Sequence, residues 1–220
     1  MEIKEIVANI KRPYLTPFVI FTILLSLFFD AIMFFNSKLY DKLPLYLVVF
    51  LIFAIVVSIL LYLQEKSEKV KVEKKNVIWY MTLNVITGYS MPLFIASTYV
   101  VGAAVNDIDV FYYWCGVALM LFISWLGLFL FYKNEFDSEN PNPAVNFIAI
   151  IIKLFALATI FYISKVAPSI ADEKNFIFLS ILINLGVDAL LVRSYFNYAL
   201  YKSVKKDIEN EGKTKKLIGV

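Results

Sequence analysis

Six long apolar stretches alternate with short polar segments along the chain, and this alternation predicts an all-α polytopic membrane protein. A helix needs about 20 mostly apolar residues to cross roughly 30 Å of hydrocarbon, and each stretch has that length. Strands are not expected, because backbone polar groups in hydrocarbon must pair within their own segment. We predict six transmembrane helices at Tyr14–Asn36, Leu43–Leu63, Val77–Val101, Val110–Tyr132, Ala144–Val166 and Phe176–Leu200.

A short segment before the first span has a different pattern. Ile3, Ile6, Val7 and Ile10 recur at helical spacing with charged residues between them. This predicts an amphipathic helix that lies in the membrane interface and ends at Pro13. We therefore divide the chain into an interfacial helix at residues 1–13, a six-helix bundle at 14–201 and a basic cytoplasmic tail at 202–220.

Composition supports the membrane class and excludes several kinds of chemistry. Hydrophobic residues make up 60% of the 220 residues, more than a soluble domain of this size can bury. The absence of histidine excludes histidine-ligated metals and histidine acid–base catalysis. A single cysteine, Cys115, excludes an intramolecular disulfide and a multi-cysteine cluster. We expect no cofactor, no bound metal and, with a net charge of only +3, no nucleic-acid partner.

The distribution of lysine and arginine predicts the orientation of the bundle, because loops on the cytoplasmic side carry an excess of both. Fifteen such residues lie on the side of the N-terminus and four on the opposite side, which predicts both termini in the cytoplasm. The fifteen are Lys4, Lys11, Arg12, Lys66, Lys69, Lys71, Lys74, Lys75, Lys133, Lys202, Lys205, Lys206, Lys213, Lys215 and Lys216, and the four are Lys38, Lys42, Lys165 and Lys174.

Part of this excess forms a basic cytoplasmic face. Near anionic headgroups each lysine contributes about 1 kcal/mol to membrane attraction. The face either only sets the topology or also docks a cytosolic partner protein. Its lysines are Lys69, Lys71, Lys74, Lys75, Lys205 and Lys206.

Two charged residues lie deep inside predicted spans. Lys153 interrupts the apolar run of the fifth span and Asp188 lies midway along the sixth. A charge at the centre of a span costs about 2.5–3.5 kcal/mol on insertion scales, so we expect these two residues to pair. The alternative for Lys153 is that its long side chain reaches the cytoplasmic headgroups.

Polar residues also form stripes on the first and last spans. Ser180 and Asn184 precede Asp188 at intervals of four, and Thr22 and Ser26 precede Asp30 in the same way. Residues four apart share one face of a helix. The two stripes are expected to line a hydrated path or a cation site, or else to form hydrogen bonds between helices.

The third span contains the most irregular sequence. Pro92 cannot donate to the carbonyl of Gly88, which predicts a kink and a freed carbonyl. Asn84 and Thr87 lie just before that point, and such groups bind ions in interrupted membrane helices. In the fourth span Gly116, Ser124 and Gly127 form a helix-contact face, within the bundle or between protomers.

Two aspartates in membrane spans invite comparison with an enzyme family. Phe29-Asp30 and Gly186-Val187-Asp188 loosely resemble the two motifs of aspartyl intramembrane proteases. Val187 stands where that family has glycine, however, and the two aspartates lie on the first and last spans. We interpret the resemblance as accidental, and with no serine–histidine or phosphate-binding motif present we expect no enzymatic activity.

Two functions remain open. The first is a small channel or transporter component of the cell membrane, in which an ion or small solute passes along a polar path. The second is a non-transporting scaffold, sensor or effector that recruits a cytosolic protein through the basic face. Six helices enclose a narrow interior, so a pore would form more readily at the axis of a homo-oligomer. The path residues are Asp30, Asn84, Thr87, Gly88, Pro92, Lys153, Asn184 and Asp188.

Overall fold

The computed structural model describes residues 2–35, 43–170 and 172–218, and these residues form seven helices and no strand. Six helical segments are long and apolar enough to cross a membrane, which confirms the predicted all-helical class and the predicted number of such helices. Lys38, Lys42 and the predicted span end Asn36 lie outside the described residues. The helices are α1 (Ile3–Lys11), α2 (Thr16–Phe35), α3 (Leu45–Lys66), α4 (Lys74–Val105), α5 (Phe111–Glu135), α6 (Pro143–Val166) and α7 (Asn175–Ile218).

Two helices differ in length from the predicted spans. Helix α4 begins three residues earlier and ends four residues later than the predicted third span, and Pro92 lies inside it. Helix α7 runs on without a break to Ile218, across the boundary predicted between bundle and tail. The side chains of Lys213, Lys215 and Lys216 lie outside the described part of the chain.

Helix α4 is the centre of the bundle. It packs against α1, α2, α3, α5 and α7, whereas α6 is attached through α5 and α7. The sequence of α4 explains this position, because its many small and polar side chains allow neighbouring helices to approach on several sides. The other long helices are Leu-, Ile- and Phe-rich, and they expose large apolar side chains around the outside, such as Leu24, Ile52, Phe147 and Leu154.

Two glycines lie at close contacts between neighbouring helices. A Cβ atom on Gly88 would lie 2.9 Å from Cγ1 of Val187, so α4 and α7 touch at that level. A Cβ atom on Gly127 would lie 2.9 Å from the carbonyl oxygen of Ala149, which brings the backbones of α5 and α6 together. The contact face predicted on the fourth span therefore meets α6 within the bundle.

The amphipathic helix α1 contacts protein with its apolar face. Ile6, Val7 and Ile10 are between 0 and 2% exposed, and α1 packs against α4 and α7. The ends of α4 and α7 thus offer an apolar surface that covers this face, and the position of α1 in the membrane interface stays a prediction.

The turn between α1 and α2 is held by the end of α3. The carboxylate of Glu65 accepts hydrogen bonds from the backbone N–H groups of Leu15 (2.9 Å) and Thr16 (3.2 Å). These are N–H groups that the first turn of a helix leaves unpaired, and a negative charge there is favoured by the helix dipole. Lys11 and Arg12 both donate to the carbonyl oxygen of Ser67. The end of the bundle that carries α1 is called the terminal end below.

The loop between α5 and α6 is tied to α7 at the same end. Asp137 forms ion pairs with Lys133 (3.1 Å) and Lys202, and Glu139 pairs with Lys206 at 3.0 Å. Burial raises the pKa of Asp137, but the hydrogen bonds and charges of Lys202 and Lys133 outweigh that effect and hold the pKa below its usual range. We call this arrangement the Asp137 clasp.

Candidate functional site

Four helices bring polar side chains together around one carboxylate in the middle of the bundle. Tyr89 comes from α4, Ser124 from α5, Lys153 from α6, and Asn184 and Asp188 from α7. We call these five residues the Asp188 cluster.

Both oxygens of Asp188 are hydrogen-bonded. The hydroxyl group of Tyr89 donates to Oδ1 at 2.5 Å. The ammonium group of Lys153 forms an ion pair with Oδ2, and Asn184 Nδ2 donates to the same oxygen at 3.3 Å. The Oγ atom of Ser124 accepts from Lys153 (2.9 Å) and from Asn184 (3.0 Å), so the donors are themselves held in place.

The cluster lies near mid-height of α4, α5 and α6 and in the first third of the longer helix α7. Asp188 is about 20 Å along α7 from Asn175, at 1.5 Å per residue. Lys153 is about 15 Å from the start of α6, a helix about 36 Å long. Lys153 therefore does not extend to the end of its helix as the alternative interpretation proposed, and it pairs with Asp188 instead.

The two charges of the cluster neutralise each other, and one hydrogen-bond acceptor remains unused within the described part of the chain. A buried ion pair offsets its desolvation cost only when the remaining hydrogen-bonding capacity is also satisfied. Here Tyr89, Ser124 and Asn184 supply those bonds. One polar atom of the cluster is left over, because Asn184 Oδ1 is buried and has no hydrogen-bond partner among the described residues. The cluster thus holds one carboxylate, one ammonium and one unused acceptor.

Other residues of the predicted path serve to connect helices. Asn84 donates to the carbonyl oxygen of Ile10 (2.8 Å) and accepts from Gln64 (2.9 Å), so it belongs to the junction of α1, α3 and α4. Thr87 donates to the carbonyl oxygen of Val57 at 3.2 Å. These bonds join helices, and the assignment of Asn84 and Thr87 to an ion path stays a prediction.

Gly88 and Pro92 are buried within α4. Gly88 faces Val187 and Leu191 of α7, and a Cβ atom at Gly88 would lie 2.9 Å from Cγ1 of Val187. The helix continues through Pro92 to Val105. The structure thus places these two residues in helix packing.

Asp30 lies in a second polar group nearer the opposite end. Ser26 Oγ is 2.5 Å from Thr98 Oγ1 and donates to Asp30 Oδ2 at 3.5 Å, while Asp30 Oδ1 is buried without a partner in the described residues. The rings of Phe29 and Phe176 are 5.0 Å apart, which places Asp30 about 18 Å from Asp188 along α7. The two aspartates do not form a catalytic pair.

The predicted basic face divides into two groups. Lys74, Lys205 and Lys206 line one cavity at the terminal end together with Lys202. Lys69 and Lys71 lie in the loop between α3 and α4 and Lys75 lies in the first turn of α4, all exposed to solvent. The structure thus brings half of the face together.

Two members of the Asp188 cluster were not assigned to the path from the sequence. Tyr89 lies within the irregular stretch of the third span, and a phenol hydroxyl near the centre of a span is a signal that could have been used. Ser124 was assigned only to a helix-contact face. Its hydroxyl reaches Lys153 because Gly127, one turn away, brings α6 close.

These observations define an all-helical protein with six long apolar helices and a buried ion pair at mid-height. The chain belongs to the DUF5079 family, a domain of unknown function, whose model matches residues 4–211. Neither a curated protein nor a solved structure matches the chain.

Proposed function

We propose that this chain is a multi-pass protein of the cell membrane with both termini in the cytoplasm. The apolar side chains around the outside of α2, α3, α5 and α6 support membrane insertion, because water-soluble proteins do not expose such a continuous apolar surface. The fifteen-to-four distribution of lysine and arginine supports the orientation. The terminal end then faces the cytoplasm.

Within this setting, we propose that the protein moves a proton or a small cation by exchange at the Lys153–Asp188 pair. At rest the two side chains neutralise each other. When a cation or proton binds Asp188, the attraction on Lys153 is lost. The ammonium group keeps its second hydrogen bond, to Ser124, and the arriving charge can use the unused Asn184 Oδ1.

The observation that carries this proposal is the convergence of four helices on a single buried carboxylate. Charged residues in membrane spans are costly and are concentrated at ion and proton pathways. A pair that only joined α6 and α7 would also need its remaining hydrogen-bonding capacity satisfied. In this cluster a hydroxyl donor from α4 and a hydroxyl acceptor from α5 fill that need, and Tyr89 and Ser124 give each charge a partner that remains when the pair opens.

The proposed path continues toward the outer face through the polar side of α7. Asn184 and Ser180 follow Asp188 at intervals of four, and both are fully buried. Glu173 contacts Gly102 nearer the outer end of the bundle. Counting back from that contact, four residues along α4 and seven along the other chain segment, puts Thr98 and Ser180 at similar heights, and Ser26 contacts Thr98. Asp30 lies further along this route. We expect a homo-oligomer, whose axis would complete the passage.

Flux across liposomes tests the proposal. The purified full chain is reconstituted, and dissipation of a proton, K⁺ or Na⁺ gradient is followed with a dye for each ion. Wild-type protein should dissipate at least one gradient, and Asp188→Asn should slow it at least tenfold. Asp109→Asn, in the exposed loop before α5, is the matched control and should leave flux unchanged.

Folding must be separated from flux in this experiment. If Asp188→Asn does not fold because Lys153 is left unpaired, the double variant Lys153→Met/Asp188→Asn removes both charges and should fold but not conduct. No dissipation of any gradient by the wild type, or full flux in a folded Asp188 variant, would defeat the proposal.

A second function is favoured by the length of α7. The helix has 44 residues, about 66 Å, roughly twice the thickness of the hydrocarbon core. Its cytoplasmic part could dock a cytosolic partner. Because Lys202 and Lys206 hold the loop between α5 and α6, a truncation that tests docking must begin after them. Removal of residues 208–220 should preserve flux, and it should abolish recovery of a cytosolic protein cross-linked in native membranes if α7 is a docking helix.

A further inference from the structure

Two cavities of opposite character meet at the terminal end of the bundle. The first is an apolar groove of about 590 Å³ between α4, α5 and α7, with Ile78, Val85, Phe122 and Phe129 among its lining residues. The second is a smaller cavity of about 200 Å³, which we call the lysine pocket. Its lining residues are Lys74, Tyr198, Tyr201, Lys202, Lys205 and Lys206.

The groove and the lysine pocket are continuous. Tyr198 lines both of them. The ammonium nitrogen of Lys202 lies 4.8 Å from the centre of the Tyr198 ring and 5.3 Å from that of Tyr132, and both rings form the near end of the groove. Lys74 is one helical turn before Ile78, the first groove residue on α4. The positively charged lysine pocket therefore lies directly at one end of the apolar groove.

The groove has the dimensions and position of a site for a lipid chain. It follows α4 from Ile78 to Leu93, a length of about 22 Å. The hydrocarbon of one leaflet is about 15 Å thick, so the groove is long enough to hold an acyl chain of that leaflet. It opens to the outside of the bundle, where Ile78 is 42% and Phe122 is 53% exposed. Most of its lining is aromatic or branched aliphatic, which suits an acyl chain and offers little to a polar solute.

The lysine pocket has the charge of a phosphate site. Four ammonium groups and two phenols line it. Two of the lysines are positioned by the neighbouring loop, because Lys202 is held by Asp137 and Lys206 by Glu139. Lys74 and Lys205 approach from α4 and α7. Lysine-rich pockets between helices on the cytoplasmic side are suited to anionic lipid headgroups.

We propose that this composite site binds one anionic phospholipid of the cytoplasmic leaflet. The phosphate group lies among the lysines, and one acyl chain occupies the groove between α4 and α5. The site rests on the membrane insertion proposed above, with the terminal end in the cytoplasm. It does not depend on ion exchange at Asp188, so loss of flux and loss of lipid binding are separate outcomes.

Native mass spectrometry of the full chain in detergent tests the proposal. The protein is titrated with phosphatidylglycerol, with phosphatidylcholine of the same chains, and with glycerol phosphate as a headgroup without chains. We expect one phosphatidylglycerol to bind at least tenfold more tightly than phosphatidylcholine. Glycerol phosphate should not displace it at equal concentration, because it leaves the groove empty.

Paired variants assign the binding to the site. Lys74→Ala/Lys205→Ala should weaken phosphatidylglycerol at least tenfold, and Lys69→Ala/Lys71→Ala, with the same loss of charge in the exposed loop, should not. Lys202 and Lys206 are left intact because they also hold the acidic loop. Ala118→Trp fills the groove and should reduce binding, whereas the neighbouring Leu119→Trp, 55% exposed, is its control.

Three results would overturn the proposal. Equal binding of phosphatidylcholine would remove the phosphate site, and equal loss in both lysine pairs would show attraction by net charge alone. Displacement by glycerol phosphate at equal concentration would show a soluble anion site without the groove. Size-exclusion profiles establish folding of each variant. The lysine variants alone suffice if Ala118→Trp does not fold, because both lysine pairs lie on the surface.

Discussion

The carboxylate of Asp188 and the ammonium group of Lys153 form a contact that is costly to disturb. Both side chains are mostly buried, and their opposite charges neutralise each other. Removing one partner of a buried ion pair leaves an uncompensated charge, which destabilises a protein by about 3–5 kcal/mol. Removing both leaves only a packing defect. The stability effects of the two substitutions should therefore be strongly non-additive.

A double-mutant cycle measures that coupling. Asp188→Asn and Lys153→Met should each lower the free energy of unfolding by about 3–5 kcal/mol, and the double variant should lose less than their sum. Unfolding is followed in mixed micelles by circular dichroism. Additive losses would mean that the two side chains do not interact in the folded protein.

The hydroxyl group of Tyr89 can be tested alone, because Tyr89→Phe keeps the ring. A hydrogen bond to a charged group contributes about 1.5–3 kcal/mol, so the variant should lose about that much stability. In the flux experiment it should also slow passage, since Asp188 loses a donor. Tyr112→Phe, at an exposed phenol, is the control and should change neither quantity.

For single residues, the sequence showed which charges lie inside apolar spans, but it did not show which neighbouring side chains form hydrogen bonds with them. Lys153 and Asp188 were found because a charge in an apolar run needs a partner. The contacts of Asn84 were not predicted, because its partners, Gln64 and the carbonyl of Ile10, come from distant parts of the chain. Polarity alone does not distinguish a helix junction from an ion path.

Helices α5 and α6 are held together at Gly127, and this contact positions Lys153. Gly127→Ala places a methyl group 2.9 Å from the carbonyl oxygen of Ala149, a backbone atom that cannot turn aside. We expect a loss of about 1–3 kcal/mol in the free energy of unfolding, together with slower flux. Gly116→Ala is a matched control, because its Cβ meets the flexible end of Ile163 at 3.2 Å and should cost less. Equal effects would contradict this account of the packing.

The Asp137 clasp gives the contact between the α5–α6 loop and α7 a defined pH dependence. Because the pKa of Asp137 is lower in the folded than in the unfolded chain, its contribution to stability is present above about pH 5. That contribution is lost as the pH falls through the folded pKa of Asp137, which lies below the usual value for an aspartate.

Thermal unfolding between pH 7 and pH 3 tests the clasp. The stability difference between the wild type and Asp137→Asn should be constant above about pH 5 and shrink below it. Glu139→Gln, at a fully exposed ion pair, should show a much smaller difference throughout. A difference that grows on acidification would contradict the lowered pKa.

Elements were predicted well where periodicity alone decides them and less well where tertiary contacts do. The six spans follow from long apolar runs, and the periodicity of Ile3, Ile6, Val7 and Ile10 correctly indicates a helix at α1. It does not reveal that α4 and α7 cover that face, because an amphipathic helix fits lipid and protein equally well. The same limit applies to the stripe of Gly116, Ser124 and Gly127, whose partner turned out to be α6.

For the whole molecule, orientation links the two proposals. With the terminal end in the cytoplasm, the lysine pocket meets the inner leaflet and Asp30 lies toward the outer face. In the reverse orientation the lysine pocket would meet the outer leaflet and Asp30 would lie toward the cytoplasm, which does not fit their proposed roles. The lysine distribution favours the first arrangement, because cytoplasmic loops retain lysine and arginine during insertion.

Cysteine labelling on intact cells measures the orientation directly. On a Cys115→Ala background, which removes the chain's one native thiol, Asp109→Cys marks the loop before α5 and Ser138→Cys marks the loop after it; both positions are exposed. A membrane-impermeant maleimide should label Asp109→Cys on intact cells, and Ser138→Cys only after permeabilisation. Equal labelling of both variants in detergent is the accessibility control. Labelling of Ser138→Cys on intact cells would place the lysine pocket outside, and the anionic phospholipid site would then lack its leaflet.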